Sequence, residues 1–305
     1  MTEALFFETM QMQEQRKKQG QRRLNVSGVL KKLGVSRSGY IQFTKRTPSK
    51  RELRKRIIKE RILQIYHDSH QNYGAPKITG LLKKEGEEIC EKTVGNYMRE
   101  LGIMAQYIKP YTVTTIDSDF DTELKNILKE QFNPSMPDAV WCSDITYIWT
   151  HTGFLYLTSI MDLYSRKIIA WVLSDTLEAK WVVDAVKSAK KTRKVKTPLI
   201  LHSDRGSQYI SQGYIEASKG MKRSYSKKAY PWDNACIESF HALLKREWIN
   251  RFKIVDYNHA YRLIFEYIET FYNTVRIHSH CEYVSPNEYE QKYWKRLKAE
   301  ELQEG

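Results

Sequence analysis

Two apolar runs, VWCSDITYIW (140–149) and GFLYLTSIMD (153–162), flank the short turn THTG. Both are rich in β-branched and aromatic residues, and so short a connection predicts a β-hairpin. The chain is therefore built around a sheet, and the segments that follow say what kind. RKIIAWVLS (166–174) reads as a third strand, LEAKWVVDAVKSAKKT (177–192) as an amphipathic helix, and TPLILHSD (197–204) as a buried fourth strand. A helix around 210–219, a short strand KRSYS (222–226) and a long helix from Asp233 to about Arg251 complete the series. Meandering strands followed by alternating strands and helices predict an α/β layer fold, with a mixed five-stranded sheet and flanking helices. The tail, 255–305, reads as helical.

The N-terminal third has a different texture. Residues 1–23 are polar and Gln/Arg/Lys-rich, a frayed helix or a disordered arm. In LNVSGVLKKLGVSRSGYIQFTKR (24–46) a short helix ends near Gly34 and Ser36 can cap a second, a first helix-turn-helix candidate. TPSKREL (47–53) is a linker with a helix start. Beyond it Leu53, Ile57, Ile58, Ile62, Leu63 and Tyr66 form an apolar stripe at helical spacing. Pro76 lies near the start of a next helix and Gly86 past its end. EKTVGNYMRELGI supplies a third helix ending at Gly102, placed to enter a major groove. His67 and His70 are followed only by the isolated Cys90, short of the four ligands a zinc site needs, and read as helix-end or loop histidines. Residues 107–132 are a polar connection containing a helical stretch, LKNILKEQF.

These textures predict the segments 1–50 (arm and first helix-turn-helix), 51–108 (second helix-turn-helix), 109–132 (linker), 133–254 (sheet-based core) and 255–305 (helical tail). Charge separates them further. Residues 1–110 carry 23 Lys+Arg against 11 Asp+Glu, and residues 111–305 carry 27 against 25. A basic excess concentrated in one third favours a polyanion, because each neutralised phosphate releases condensed counterions. No window approaches the ~18 uninterrupted apolar residues of a membrane span, and no signal-peptide h-region opens the chain. The four cysteines (Cys90, Cys142, Cys236, Cys281) form no CxxC pair. A cytoplasmic protein with reduced thiols, not associated with a membrane, is expected.

Three carboxylates carry the chemistry. Asp144 stands inside an apolar strand, where an isolated ionised group is costly. Asp204 ends another apolar strand, where α/β sheets collect ligands. Glu238 sits one turn into the long helix. There Ile237, Phe240, Leu244 and Trp248 form the stripe that docks on the sheet, while Glu238, His241 and Lys245 follow along the adjoining face. Each carboxylate alone has an ordinary structural explanation. Together near one strand end they repel, and hard oxygen ligands of this kind suit Mg²⁺. Two such ions can activate an attacking hydroxyl and stabilise a leaving oxygen in an in-line displacement at phosphorus.

WCSDITYI, HSDRGSQYIS, WDNACIESFHALLKRE and YNTVRIHSHCEYVSPNEY, with MDLYSRKIIAW (161–171), carry a resemblance. From LGVSRSGY (33–40) to SPNEY (285–289) the chain resembles the OrfB-type transposases of the IS-three family of bacterial insertion sequences. These are DDE enzymes with a retroviral-integrase-like, RNase H-like core. The resemblance implies that Asp144, Asp204 and Glu238 bind Mg²⁺ or Mn²⁺, two ions per site, and are catalytic. It implies that Lys245 contacts terminal nucleotides of the DNA. Arg205, His241 and Arg276, with Lys92 and Arg99 on the third N-terminal helix, are further DNA-contact candidates. Tyr209, Asn234 and His278 fall on motif positions as supporting residues, Asn234 or Asp233 as a helix cap. Asp162 reads as structural.

The 33 residues between Asp204 and Glu238 are two fewer than the family's usual interval, a change expected in a loop or helix end. No heptad run appears, so the zipper module that frameshifted members carry is not expected here. The implied partners are double-stranded DNA, as inverted-repeat ends and as target, a homo-oligomer on that DNA, and the upstream-frame OrfA-type protein. The implied reaction is metal-dependent cleavage and strand transfer by water or a DNA 3′-hydroxyl. A non-catalytic DNA-binding regulator and an RNase H-like nuclease are the alternatives. Joining of supplied 3′-hydroxyl ends to a target duplex discriminates among the three.

Overall fold

The computed structural model describes residues 2–45, 47–105, 124–193, 199–227 and 230–304. The chain divides into two compact units, 1–61 and 62–305. Of the linker expected at 109–132, residues 109–123 lie outside the described residues, as do 106–108 at the end of the expected second helix-turn-helix.

The first unit is a small helical cluster of α1 (Thr2–Lys18), α2 (Val26–Lys32) and α3 (Arg37–Lys45). The arm is therefore helical, because Phe6 on α1 finds a core with Leu30 and Tyr40. The expected turn is present: Gly34 adopts φ +67 after α2, and Ser36 Oγ accepts from Gly39 N at the start of α3. α4 (Lys50–Asp68) begins with a reciprocal cap, Glu52 N donating to Ser49 Oγ and Ser49 N donating to Glu52. Its expected stripe needs correction. Leu53 and Ile57 are exposed, and the buried line is Ile58, Ile62, Ile65 and Tyr66. Helical spacing marks a face but not which flank of it finds a partner.

The second unit contains the rest of α4, then α5 (Ala75–Lys84) and α6 (Glu91–Glu100), with Pro76 in the first turn of α5 as expected. Its sheet has five strands: β1 (Val140–Thr150), β2 (Gly153–Asp162), β3 (Ile168–Ser174), β4 (Ile200–Ser203) and β5 (Lys222–Tyr225). Their order is β3-β2-β1-β4-β5. β1–β2 and β2–β3 are antiparallel, and β1–β4 and β4–β5 are parallel. The hairpin turn needs its glycine, since Gly153 has φ +126. Thr150 Oγ1 donates to Gly153 O and accepts from Thr152 N, and His151 N donates to Ile254 O. The tip is thereby pinned.

Alternation along β1 sorts its side chains to two cores. Trp141 joins Ile160 and Leu201 in the core that includes Val182 and Val186 of α7 (Ala179–Thr192). Cys142 and Ile148 join the opposite core with Ile237, Phe240 and Leu244 of α9 (Ala235–Glu247). Each of these fully buried side chains contributes roughly 1.5–3 kcal/mol, so the α9 stripe is a principal fastening of the layer. α8 (Gln212–Ala217) links β4 to β5. The expected helix from Asp233 to Arg251 is shorter, with 3₁₀ turns at Pro231–Asn234 and Ile249–Arg251 on either side of α9.

The tail is helical in α10 (Tyr257–Phe265), in the π-helical turn Glu266–Tyr272, and in α11 (Pro286–Glu304). Between them His278 and Val284 form an isolated antiparallel bridge around a turn in which Glu282 and Tyr283 take positive φ. LKNILKEQF is not helical. Residues 124–127 are irregular and Lys129 and Glu130 adopt positive φ. Ser224 Oγ accepts from Ile127 N and Leu128 N, Lys125 O accepts from Tyr225 N, and Leu128 is buried in the α9 core. A short helix is marginal alone, and these fixed partners outweigh its propensity.

Candidate active site at the strand ends

β1 and β4 pair in parallel only as far as Ser143 opposite Ser203. The next residues are Asp144 and Asp204. Both aspartates thus stand one residue past the last β1–β4 pair, Asp204 just beyond the end of β4 and Asp144 inside β1, which runs on to Thr150. Asp144 shares the parity of Cys142 and Ile148 and faces α9.

α9 meets it with His241. The ring is buried, with Nδ1 3.3 Å from Asp144 Oδ2 and Nε2 3.2 Å from Ser159 Oγ. Ser159 is the cross-strand partner of Asp144, so one imidazole spans the pair. This corrects the expectation of a DNA contact: both ring nitrogens are engaged inside the protein. Asp204 is held by its own turn, Gly206 N donating to Oδ1 at 3.0 Å. A Cβ on Gly206 would lie 3.1 Å from that oxygen, so glycine permits the close approach. Tyr209 is buried behind the aspartates, its hydroxyl 3.1 Å from Ser143 Oγ. Burial and the charges of Asp144 and Asp204 push its pKa well up, so it stays a neutral phenol.

Glu238 is exposed as a residue. Partial desolvation of its carboxyl, with the charges of Asp144 and Asp204 added, raises its pKa from 4.5 to about 7. The three carboxylates therefore sense one another. Among the described residues, no three His, Cys, Asp or Glu side chains form a ready metal-ligand group. The donor chemistry nevertheless fits a hard divalent cation. All three candidate ligands are carboxylates, and the proton affinity of Glu238 is raised first by burial and then by the charges of Asp144 and Asp204, a repulsion that a cation would relieve. Lys245, two turns after Glu238, is half-buried, with Nζ 4.3 Å from the centroid of the Tyr147 ring. Burial lowers its pKa and the charge of Asp144 opposes that shift.

Other candidates lie elsewhere. Arg276 is buried, its Nε and Nη2 donating to Glu247 at 2.6 and 2.7 Å. This is a correction, since a guanidinium so enclosed cannot reach a phosphate. Arg205 straps the loop, donating to Ser226 O and Leu124 O. Lys92 and Arg99 are exposed on α6, Arg99 donating to Asn96. Asn234 occupies the N-cap position of α9 without a side-chain cap bond, and its buried amide has no hydrogen-bond partner among the described residues. Asp233 instead accepts from Lys227 N and Asn126. His278 is half-buried, burial and the nearby Arg276 charge lowering its pKa to about 3. Asp162 accepts from Asp138 N and Tyr164 N, a structural role as read.

Two residues escaped the sequence reading. His202, inside the HSD motif, is buried between the hydroxyls of Ser224 and Ser226 at 2.9 and 3.2 Å. Burial lowers its pKa to about 4, opposed by the charge of Asp233. Glu247 lies in the quoted α9 motif, yet nothing local distinguished it from a surface helix residue.

The integrase core domain family matches residues 134–231, a second integrase core domain family matches 219–286, and an HTH-like domain family matches 52–111. The sheet and its flanking helices are thus an integrase-type core preceded by a helix-turn-helix-like segment. The chain is 36% identical over 247 residues to a transposase for insertion sequence element IS904 of Lactococcus lactis, spanning 80% of this chain and 98% of that protein. It is 33% identical over 276 residues to the transposase InsF of insertion sequence IS3A of Escherichia coli, spanning 89% and 96%. The chain belongs to the IS3 family of insertion-sequence transposases. Among solved structures, the catalytic core domain of BIV integrase aligns at TM-score 0.40 and 16% identity, over 53% of this chain and 99% of that one. Among the described residues no helix is long and apolar enough to cross a membrane.

Proposed function

We propose that the protein cleaves and joins DNA at the inverted-repeat ends of its insertion sequence, with Asp144, Asp204 and Glu238 as the catalytic carboxylates. The observation that carries this reading is the placement of both aspartates one step beyond the Ser143–Ser203 pair, electrostatically coupled to Glu238. The three carboxylates would hold two Mg²⁺ or Mn²⁺ ions, which supply activation of the attacking hydroxyl and stabilisation of the leaving oxygen.

The chain's own residues do the rest. His241 fixes the Asp144 carboxylate, and the Gly206 N–H fixes that of Asp204. Lys245 offers a cation to a phosphate near Asp144. Water or a 3′-hydroxyl attacks phosphorus in line, a new P–O bond forms, and the opposite P–O3′ bond breaks, its oxygen leaving as a 3′-hydroxyl. No covalent protein intermediate is required. Lys92 and Arg99 on α6 bind the DNA ends within segment 51–108, segment 133–254 does the chemistry, and segment 255–305 buttresses α9. Two ends joined in one event call for at least two copies on the DNA.

The test supplies 3′-hydroxyl end duplexes and a target duplex with Mg²⁺. Joined product is expected, and it should be lost in Asp144→Asn, Asp204→Asn and Glu238→Gln while end-binding persists. Hydrolysis without joining would favour a nuclease instead, and strand transfer retained in any of the three variants would remove the assignment.

A further inference from the structure

The hairpin carries an aromatic surface that the proposed chemistry does not use. Tyr147, Trp149 and Phe154 are 46%, 63% and 49% exposed. They share one parity and one face, the face that Trp141 and Ile160 present to α7 farther along the strands. Trp149 lies opposite Phe154 across the strands, with ring centroids 4.8 Å apart, and Tyr147 meets Phe154 edge-on at 5.6 Å. Three large exposed rings in one cluster are unusual on a soluble surface without a ligand. The patch is also rigid at its tip, through Gly153 and the His151–Ile254 bond.

Its location narrows the occupant. β4 stops pairing with β1 at Ser143, so beyond that point this edge of β1 carries no paired strand among the described residues. Lys245, from the opposite face, places its amine 4.3 Å from the centroid of the Tyr147 ring. One cation thus joins the acidic cluster to the aromatic face. A nucleotide presents both complementary parts, a phosphate for the lysine and a planar base for the rings. Tyr147 and Trp149 stand three and five residues from Asp144, roughly 10 and 17 Å along a strand. At ~3.4 Å per stacked base this spans roughly three to five nucleotides.

We propose that Tyr147, Trp149 and Phe154 form a stacking platform for unpaired nucleobases three to five nucleotides from the phosphodiester held at the carboxylates. The proposal rests on the strand-transfer reading for its register, but its test does not require catalysis. Binding is measured with the full chain in EDTA, comparing a blunt end duplex with the same duplex bearing a five-nucleotide overhang that contains 2-aminopurine. The overhang should bind more tightly than the blunt end, with the 2-aminopurine fluorescence quenched by stacking. Trp149→Ala combined with Phe154→Ala should cut that preference roughly tenfold or more. Trp149→Tyr, which keeps a ring, should retain most of it.

Equal affinity for both duplexes in the unaltered protein, or unquenched 2-aminopurine, overturns the platform without recourse to any variant. Equal losses on both duplexes overturn it as well. A change from dimer to monomer in the DNA-free double variant would assign the patch to contact between copies instead. Strand transfer surviving in Asp144→Asn would remove the catalytic reading and leave the stacking measurement standing on its own.

Discussion

Helix α9 carries two glutamates nine residues apart whose surroundings are opposites. Glu247 is buried and fully answered: Arg276 grips both of its oxygens and the Tyr267 hydroxyl donates a third bond. Although burial alone would raise its pKa, these bonds and the Arg276 charge lower it on balance. Glu238 faces two further carboxylates, and its pKa rises to about 7. One end of the helix uses a carboxylate to hold the fold. The other keeps one in a state that favours a proton or a cation. A helix anchored at its C-terminal end can hold such an acidic residue over the sheet, and the two ends should separate under mutation.

The largest separation is expected in activity. Asp144→Asn, Asp204→Asn or Glu238→Gln should lower strand transfer to about a hundredth or less, while thermal melting stays level or rises as repulsion is removed. A parallel fall in melting temperature would erase the contrast. At the other end, Arg276→Ala should cost about 3–5 kcal/mol of stability, because it leaves Glu247 buried and unpaired; urea denaturation measures this. A cost below ~1 kcal/mol would show the pair to be ordinary surface electrostatics.

His241→Ala sharpens the active end. By freeing Asp144 it should weaken Mn²⁺ binding roughly ten- to hundredfold, seen by calorimetry, and an unchanged affinity would remove its positioning role. The pH dependence is smaller. Glu238 keeps a proton in the cation-free fold up to about pH 7, so Mn²⁺ affinity should rise up to that pH, by at most about tenfold per pH unit. Its own contribution to stability falls across the same window, because the fold binds more protons than the unfolded chain. Glu238→Gln should flatten both profiles, and proton release in two buffers checks the first.

The smallest effect belongs to Lys77, beside the Glu247 end. Burial, with the Arg276 charge added, lowers its pKa to about 7, and its amine lies 4.7 Å from the centroid of the Tyr73 ring. Between about pH 7 and 10.5 the folded chain binds fewer protons there, so stability should rise with pH. Lys77→Met should reduce that rise in urea midpoints. Persistence of the full slope would place its cause elsewhere.

Much of this arrangement was legible in the sequence. The hairpin, the strands that follow, the docking stripe of α9 and the places of Asp144 inside one strand and of Asp204 at the end of another all follow from periodicity and turn chemistry, which act over a few residues. Arg276 and His241 were misread for the reason Glu247 was missed. Their partners lie 29 residues away in one case, and on β1 and β2 in the other. Polar residues on a motif look the same whether they meet a phosphate or a buried counter-charge. LKNILKEQF has helical composition, yet Ser224 and a pocket for Leu128 hold it irregular.

The sequence by itself determined the element types, the alternating faces of β1 and the residues available for chemistry. Local sterics and hydrophobic periodicity need no distant partner. Only the tertiary structure decided which charges are answered. It ends the β1–β4 pairing at Ser143 and Ser203, couples Glu238 to both aspartates, closes Arg276 on Glu247, and sets Lys245 between Asp144 and the ring of Tyr147. Electrostatic energy depends on separation in space and on exclusion of water, and neither quantity exists until the layers are packed.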